Sequence, residues 1–146
     1  MIREIRAEEV PRLRPFLEAL AVYHNQVSLH HEGMYPAKNI DGMLETLAAE
    51  LRMGSGAAAV LENGDGWQGF ASIHKENVEG TIGFLFVAEE FRGKGLGRLL
   101  MDWAVAELEA SGCQRIAVKV VAGNPAIHLY EAYGFQLNAQ ILWKKS

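Results

Sequence analysis

Arg92, Lys94 and Arg98 alternate with Gly93, Gly95 and Gly97 in the run Phe91-Arg92-Gly93-Lys94-Gly95-Leu96-Gly97-Arg98. Thr81-Ile82-Gly83-Phe84-Leu85-Phe86-Val87 precedes it and reads as a buried strand. Leu96, Leu99, Leu100, Trp103, Ala104 and Leu108 follow at helical spacing. A strand, a glycine-rich turn and a helix start together aim unpaired backbone N–H groups at an anion. A helix start ordinarily favours acidic side chains, so three cations there break a local rule, and a bound polyanion would relieve the conflict. The plain alternative is a tight turn with solvated cations. A nucleotide P-loop is excluded, because Gly95-Leu96 lacks the Gly-Lys-Ser/Thr ending. The dinucleotide fingerprint fails too, since the sixth position counted from Gly93 is Arg98 rather than glycine.

Arg92, Gly95 and Gly97 match the Arg/Gln-x-x-Gly-x-Gly/Ala acyl-CoA signature, and the run resembles that of the GCN5-related N-acetyltransferases (GNAT). A second block, Asn124-Pro125-Ala126-Ile127-His128-Leu129-Tyr130-Glu131-Ala132-Tyr133-Gly134-Phe135, resembles the family's downstream segment. The resemblance implies acetyl-CoA as donor, an amine of a small molecule or peptide as acceptor, and no metal. Leu85, Phe86 and Val87 would pair with the pantetheine arm as an added strand. The N–H groups of Gly93, Lys94, Gly95, Leu96, Gly97 and Arg98, with Arg92 beside them, would hold the pyrophosphate. A freed N–H near Phe86 or Val87 would steady the thioester oxyanion.

Tyr130 lies where the family places its general acid. A phenol of pKa about 10 can protonate the departing sulfur, an assistance worth roughly 10² to 10⁴ in rate. Tyr133, on the same short helix, reads as core. Asn124 is a cofactor contact or, because Pro125 shortens the usual spacing, a helix cap. The general base is the gap. An alkylammonium of pKa about 10.4 needs roughly 4 to 5 kcal/mol to become neutral at pH 7. The positions from which relatives supply a Glu or His correspond to Gly83 and Thr81, and neither is a base. Glu79, His74, Glu76 and His24 are the remaining candidates, and a non-catalytic acyl-CoA-binding module is the alternative function. His30-His31-Glu32 falls in a loop that overhangs the acceptor cleft in this family, with Met34, Tyr35 and Tyr23 as further pocket candidates.

Composition narrows the partners. The 146 residues fit one domain, 1-146, with a net charge of -4 that argues against a nucleic-acid binder. No apolar run of about 18 residues marks a membrane span, and Met1-Ile2-Arg3-Glu4 does not read as a signal peptide. The single cysteine, Cys113, excludes an internal disulfide and fits a reducing, cytoplasmic setting. No ligand set at zinc spacing is visible. Trp67, Trp103 and Trp143 read as core or interface residues, which leaves a homodimer open.

The remaining pattern supplies the elements. A strand over Ile2 to Arg6 precedes a helix from Val10 to Asn25, with Leu13, Leu17 and Leu20 on one face and a kink or restart at Pro15. Pro36 opens a second helix, with Ile40, Met43, Leu44, Leu47 and Leu51 as its apolar face, that stops at Gly54. Asn63-Gly64-Asp65-Gly66 joins strands Ala57 to Glu62 and Trp67 to Lys75 as a hairpin. After the central helix come a strand over Arg115 to Val121, a short helix over Pro125 to Tyr133 and a last strand over Gln136 to Lys144. This order predicts an α/β fold, one mostly antiparallel mixed sheet with helices on both faces, as in GNAT proteins.

Overall fold

A computed structural model describes residues 1–30 and 39–144. Strands β1 (Ile2–Glu4), β2 (Gly56–Asn63), β3 (Gly66–Glu76), β4 (Glu79–Val87) and β5 (Arg115–Val118) form one sheet in the order β1-β2-β3-β4-β5. The first three pairings are antiparallel and β4–β5 is parallel. The predicted hairpin is present, and Gly64 in its turn takes the positive φ that the connection requires.

Helices α1 (Arg14–Val27) and α2 (Ile40–Met53) cover one face of the sheet. Pro15 marks a restart, because a 3-10 helix over Ala7–Leu13 ends there and α1 begins with the proline in its first turn. Asn39 accepts the Gly42 N–H at 2.8 Å to cap α2, and Gly54 ends it at φ 77. The predicted opening at Pro36, like His31, Glu32, Met34 and Tyr35, lies outside the described residues. Leu13, Leu17, Leu44 and Leu47 close this core against Ala58, Val60, Phe70 and Phe86.

Helix α3 (Leu96–Ala110) covers the other face, and the short helix α4 (Ile127–Ala132) packs into the same apolar cluster. Leu100, Met101, Ala104 and Leu108 are the buried positions of α3, whereas Leu99 stays 46% exposed. Met101 thus takes the place that the periodicity gives to Leu99. Cys113 packs beside Leu108 where a Cβ on Gly80 would intrude, so its role here is packing.

The predicted last strand is corrected. Residues 136–144 form no strand, and Leu137, Ile141 and Leu142 are exposed. The stretch carries strand-forming side chains but no ladder partner. β5 offers only four residues to pair with, because it stops at Val118 rather than Val121. A strand exists only where its N–H and C=O groups find a neighbour.

At the opposite edge Arg3 clamps the first strand to the hairpin. Its guanidinium reaches Glu9 at 2.9 Å and Glu62 at 3.0 Å, while Glu9 also accepts the Arg6 N–H. The Arg3 hydrogen bond is the main reason the Glu9 carboxyl falls from its ordinary 4.5 to about 2. A carboxylate with a depressed folded pKa stabilises the fold above its unfolded value and loses that contribution as pH falls through the folded value. Stability of the wild type is therefore expected to decline between pH 4.5 and about 2. Urea unfolding across that window checks it, and Glu9→Gln should flatten this part of the profile.

Candidate active site

The site begins where β4 and β5 part. Their parallel ladder runs from Glu79↔Arg115 to Ile82↔Val118 and ends there. Beyond Ile82, β4 continues to Val87 on its β3 side alone. The cause is visible in the β3–β4 register, where Ser72 pairs with Phe84 and Ile73 with Ile82, leaving Gly83 as an extra residue. This is a β-bulge, which bends and twists its strand. A Cβ on Gly83 would lie 2.9 Å from Ser72 Oγ and would displace that hydroxyl. The buried Ser72 hydroxyl accepts the Phe84 N–H at 3.0 Å and holds the bulge. Ser72→Ala would orphan that N–H, at a cost of about 1 to 3 kcal/mol. A lower urea midpoint with an unchanged slope checks this.

One end of the fork faces the start of α3. Gly93 (φ 81) and Gly95 (φ 78) both take left-handed backbone conformations that favour glycine. Gly95 is the N-cap and no side chain caps the helix, so its first N–H groups point outward without helical acceptors. Outward amides at such a helix start are an anion-binding arrangement. Lys94 and Arg98 are exposed beside it, with the Lys94 ammonium 5.9 Å from the Phe91 ring centre. Arg92 turns elsewhere. Its Nε donates to the Val87 carbonyl at 2.8 Å, and its guanidinium lies over the Tyr23 ring at 4.6 Å and near Phe86 at 5.3 Å. It therefore clamps the far end of β4 to α1.

Tyr130 sits at the fork itself. It is 6% exposed and packs with Ile82, Met101 and Val118, edge-on to Phe135 at 6.2 Å between ring centres. Burial, and then the neighbouring Tyr23, push its phenol above the ordinary value of 10, so it stays protonated at neutral pH. Tyr133 differs. It donates to the Asp102 carboxylate and to the Arg98 carbonyl, tying α4 to α3, and burial followed by the Asp102 bond pushes it up to about 12. Asn124 Oδ1 accepts the Ala126 N–H at 2.9 Å and the Tyr23 hydroxyl at 3.4 Å. It closes the turn ahead of α4, whose N-cap Ala126 has no side-chain cap, so Asn124 is not the helix cap that the sequence offers.

Leu85 and Val87 face α3, while Phe86 is buried against α1. Among the candidate bases, Glu79 is engaged with Arg115 at 2.6 Å, and Glu76 lies exposed at the strand end. His24 is half-buried on α1, where burial lowers its pKa. His74 lies beside Glu50, with Nδ1 3.8 Å from Oε2, and both line an open cavity. Glu50 escaped the sequence reading, since only folding brings α2 to this strand. Among the described residues no group of three or more His, Cys, Asp or Glu could hold a metal. No described helix is long and apolar enough to cross a membrane.

A forked parallel pair, an uncapped glycine-rich helix start and a buried phenol thus meet on one mixed sheet. A profile of the Acetyltransferase (GNAT) family matches residues 17–135, and the chain belongs to that family. It is similar to the spermine/spermidine N(1)-acetyltransferase of Bacillus subtilis, 32% identical over 76 residues covering 49% of this chain and 50% of that protein. It is also similar to the [ribosomal protein bS18]-alanine N-acetyltransferase of Salmonella typhimurium, 40% identical over 58 residues, 39% of each chain. The match thus spans half or less of those relatives' lengths. In fold it resembles a predicted acetyltransferase from Clostridium acetobutylicum, crystallised with acetyl-CoA, with TM-score 0.79 and 18% identity over 99% of this chain and 95% of that one. A GCN5-related N-acetyltransferase from Ralstonia eutropha gives TM-score 0.82 at 18% identity, over 99% of this chain and 97% of that one.

Proposed function

We propose that this protein is an acetyl-CoA-dependent N-acetyltransferase that transfers the acetyl group directly to a primary amine. The observation that carries the reading is the fork beyond Ile82↔Val118, with the uncapped start of α3 at its mouth and Tyr130 inside it. Bound acetyl-CoA supplies an acyl group activated as a thioester. The amides of Gly93 to Arg98 would hold its diphosphate, and the open edge of Leu85, Phe86 and Val87 would orient the pantetheine arm. Tyr130, kept neutral by burial, would give its proton to the departing sulfur. Held together in the fork, amine and thioester would gain much of their rate from positioning.

The alternative is a non-catalytic acyl-CoA-binding module on the same fold, favoured by the absence of a base at Thr81 and Gly83. Free thiol release from acetyl-CoA with a panel of amines separates the two. The panel should include spermine, spermidine and an alanine-bearing peptide, after the two relatives' names. Amine-dependent release supports the enzyme. Thermal stabilisation by coenzyme A without release supports the binding module.

A further inference from the structure

We propose that the cavity between α2 and the bulged end of the sheet receives a cationic alkylamine, with Glu50 holding its charge and His74 taking its proton. This rests on the acetyltransferase reading and assigns the base that the reading lacks. The cavity encloses about 520 Å3 and is lined, among others, by Thr46, Glu50, Ser72, His74, Gly83 and Phe84. Gly83 places the bulge, and therefore the fork, at its wall.

The sheet register explains why His74 can do this work. The family resemblance implies that a base often stands at the positions of Thr81 and Gly83 on the central strand, and neither residue is one. Here His74 on β3 pairs directly with Thr81 on β4, and directly paired residues share one face of a sheet. Phe70 and Ser72, four and two residues before His74, set that face toward α1 and α2. The imidazole thus stands one strand aside from the vacant position, on the same face. Imidazole is the side chain whose charge changes nearest neutral pH.

Glu50 acts through charge and orientation. Its Oε2 lies 3.8 Å from His74 Nδ1, so the carboxylate and the imidazole face the same space. Among the described lining residues there is no Lys or Arg, and Glu50 is the only acid, so the cavity suits an ammonium and disfavours an anionic acceptor. The proton balance closes. His74 takes one proton from the ammonium, and the neutral nitrogen forms the C–N bond as the C–S bond breaks. The second proton lost from nitrogen restores the Tyr130 phenol, which has given its own to the departing sulfur, and His74 returns its proton to solvent.

Calorimetry of 1,4-diaminobutane titrated into the coenzyme A-saturated protein tests the cavity. Wild type is expected to bind the diamine, Glu50→Gln to bind it at least about tenfold more weakly, and coenzyme A affinity to be equal in both. Glutamate is the anionic control and should not bind. With the same diamine and acetyl-CoA, His74→Gln should lower kcat about 100-fold with KM within about threefold. Added imidazole should restore turnover in His74→Ala, which a purely structural histidine would not allow. The inference is overturned if the diamine fails to bind, binds wild type and Glu50→Gln alike, or is acetylated by His74→Gln at the wild-type rate. Failure of coenzyme A itself to bind would instead strike the acetyltransferase reading.

Discussion

Gly97→Val is expected to weaken coenzyme A binding by at least about 100-fold while leaving the protein folded. The expected loss corresponds to two charge-assisted hydrogen bonds of roughly 1.5 to 3 kcal/mol each, broken when the diphosphate can no longer approach the amides. Folding should survive because a Cβ at this position meets only Leu129 Cδ2, at 3.5 Å, an ordinary contact. Gly97 also lacks the positive φ of Gly93 and Gly95, so a side chain there carries no backbone strain. Gly95→Val would be a poorer test, since strain at φ 78 would disturb the helix start by itself. Calorimetry with coenzyme A reads the affinity, and circular dichroism with a thermal melt reads the fold. Wild-type affinity in Gly97→Val would remove the α3 start from the site.

Tyr130→Phe should lower kcat by roughly 10² to 10⁴ with coenzyme A affinity nearly unchanged. The substitution removes one oxygen and keeps the ring that packs against Phe135, Ile82 and Met101, so stability should move little. The pH dependence carries a further sign. Burial raises the phenol pKa, so the acid form persists through neutral and mildly alkaline pH. The wild-type rate should therefore show no alkaline fall from this group below pH 10. Full activity in Tyr130→Phe would take the phenol out of the mechanism. Tyr133→Phe provides the contrast, because Tyr133 ties α4 to Asp102 and Arg98 and should affect stability more than the chemical step.

Much of this architecture is legible in the sequence because local chemistry decides it. Asn63 to Gly66 dictates the hairpin, Gly54 stops α2, and Pro15 marks a kink or restart that the structure resolves as a restart. The glycine and cation pattern marks the start of α3 for the same reason. What escapes are the features that need a partner distant in sequence. Residues 136–144 carry strand-forming side chains, yet pairing depends on how far β5 extends. Met101 displaces Leu99 from the core because the seat of α3 on the sheet, rather than its periodicity, selects the buried stripe. Gly83 is compatible with a bulge in sequence, but the bulge itself is made by Ser72 from the neighbouring strand. Glu50 and His74 are 24 residues apart and meet only through the packing of α2 on the sheet.

Arg92 shows the same limit within a motif. Sequence places it with the anion-binding run, whereas its guanidinium binds the Val87 carbonyl and stacks on Tyr23. Of the three cations, Lys94 and Arg98 stay exposed beside the outward amides of the run. The fork, the cradle and the phenol are thereby positioned by separate elements, β4–β5, α3 and α4, that converge at one place.

Amide-resolved NMR of the protein titrated with coenzyme A tests the central claim most directly. The largest shifts should fall on the N–H groups of Gly93 to Arg98, followed by Gly83 to Val87 along the open side of β4. Shifts centred elsewhere, with the amides at the start of α3 unmoved, would contradict it.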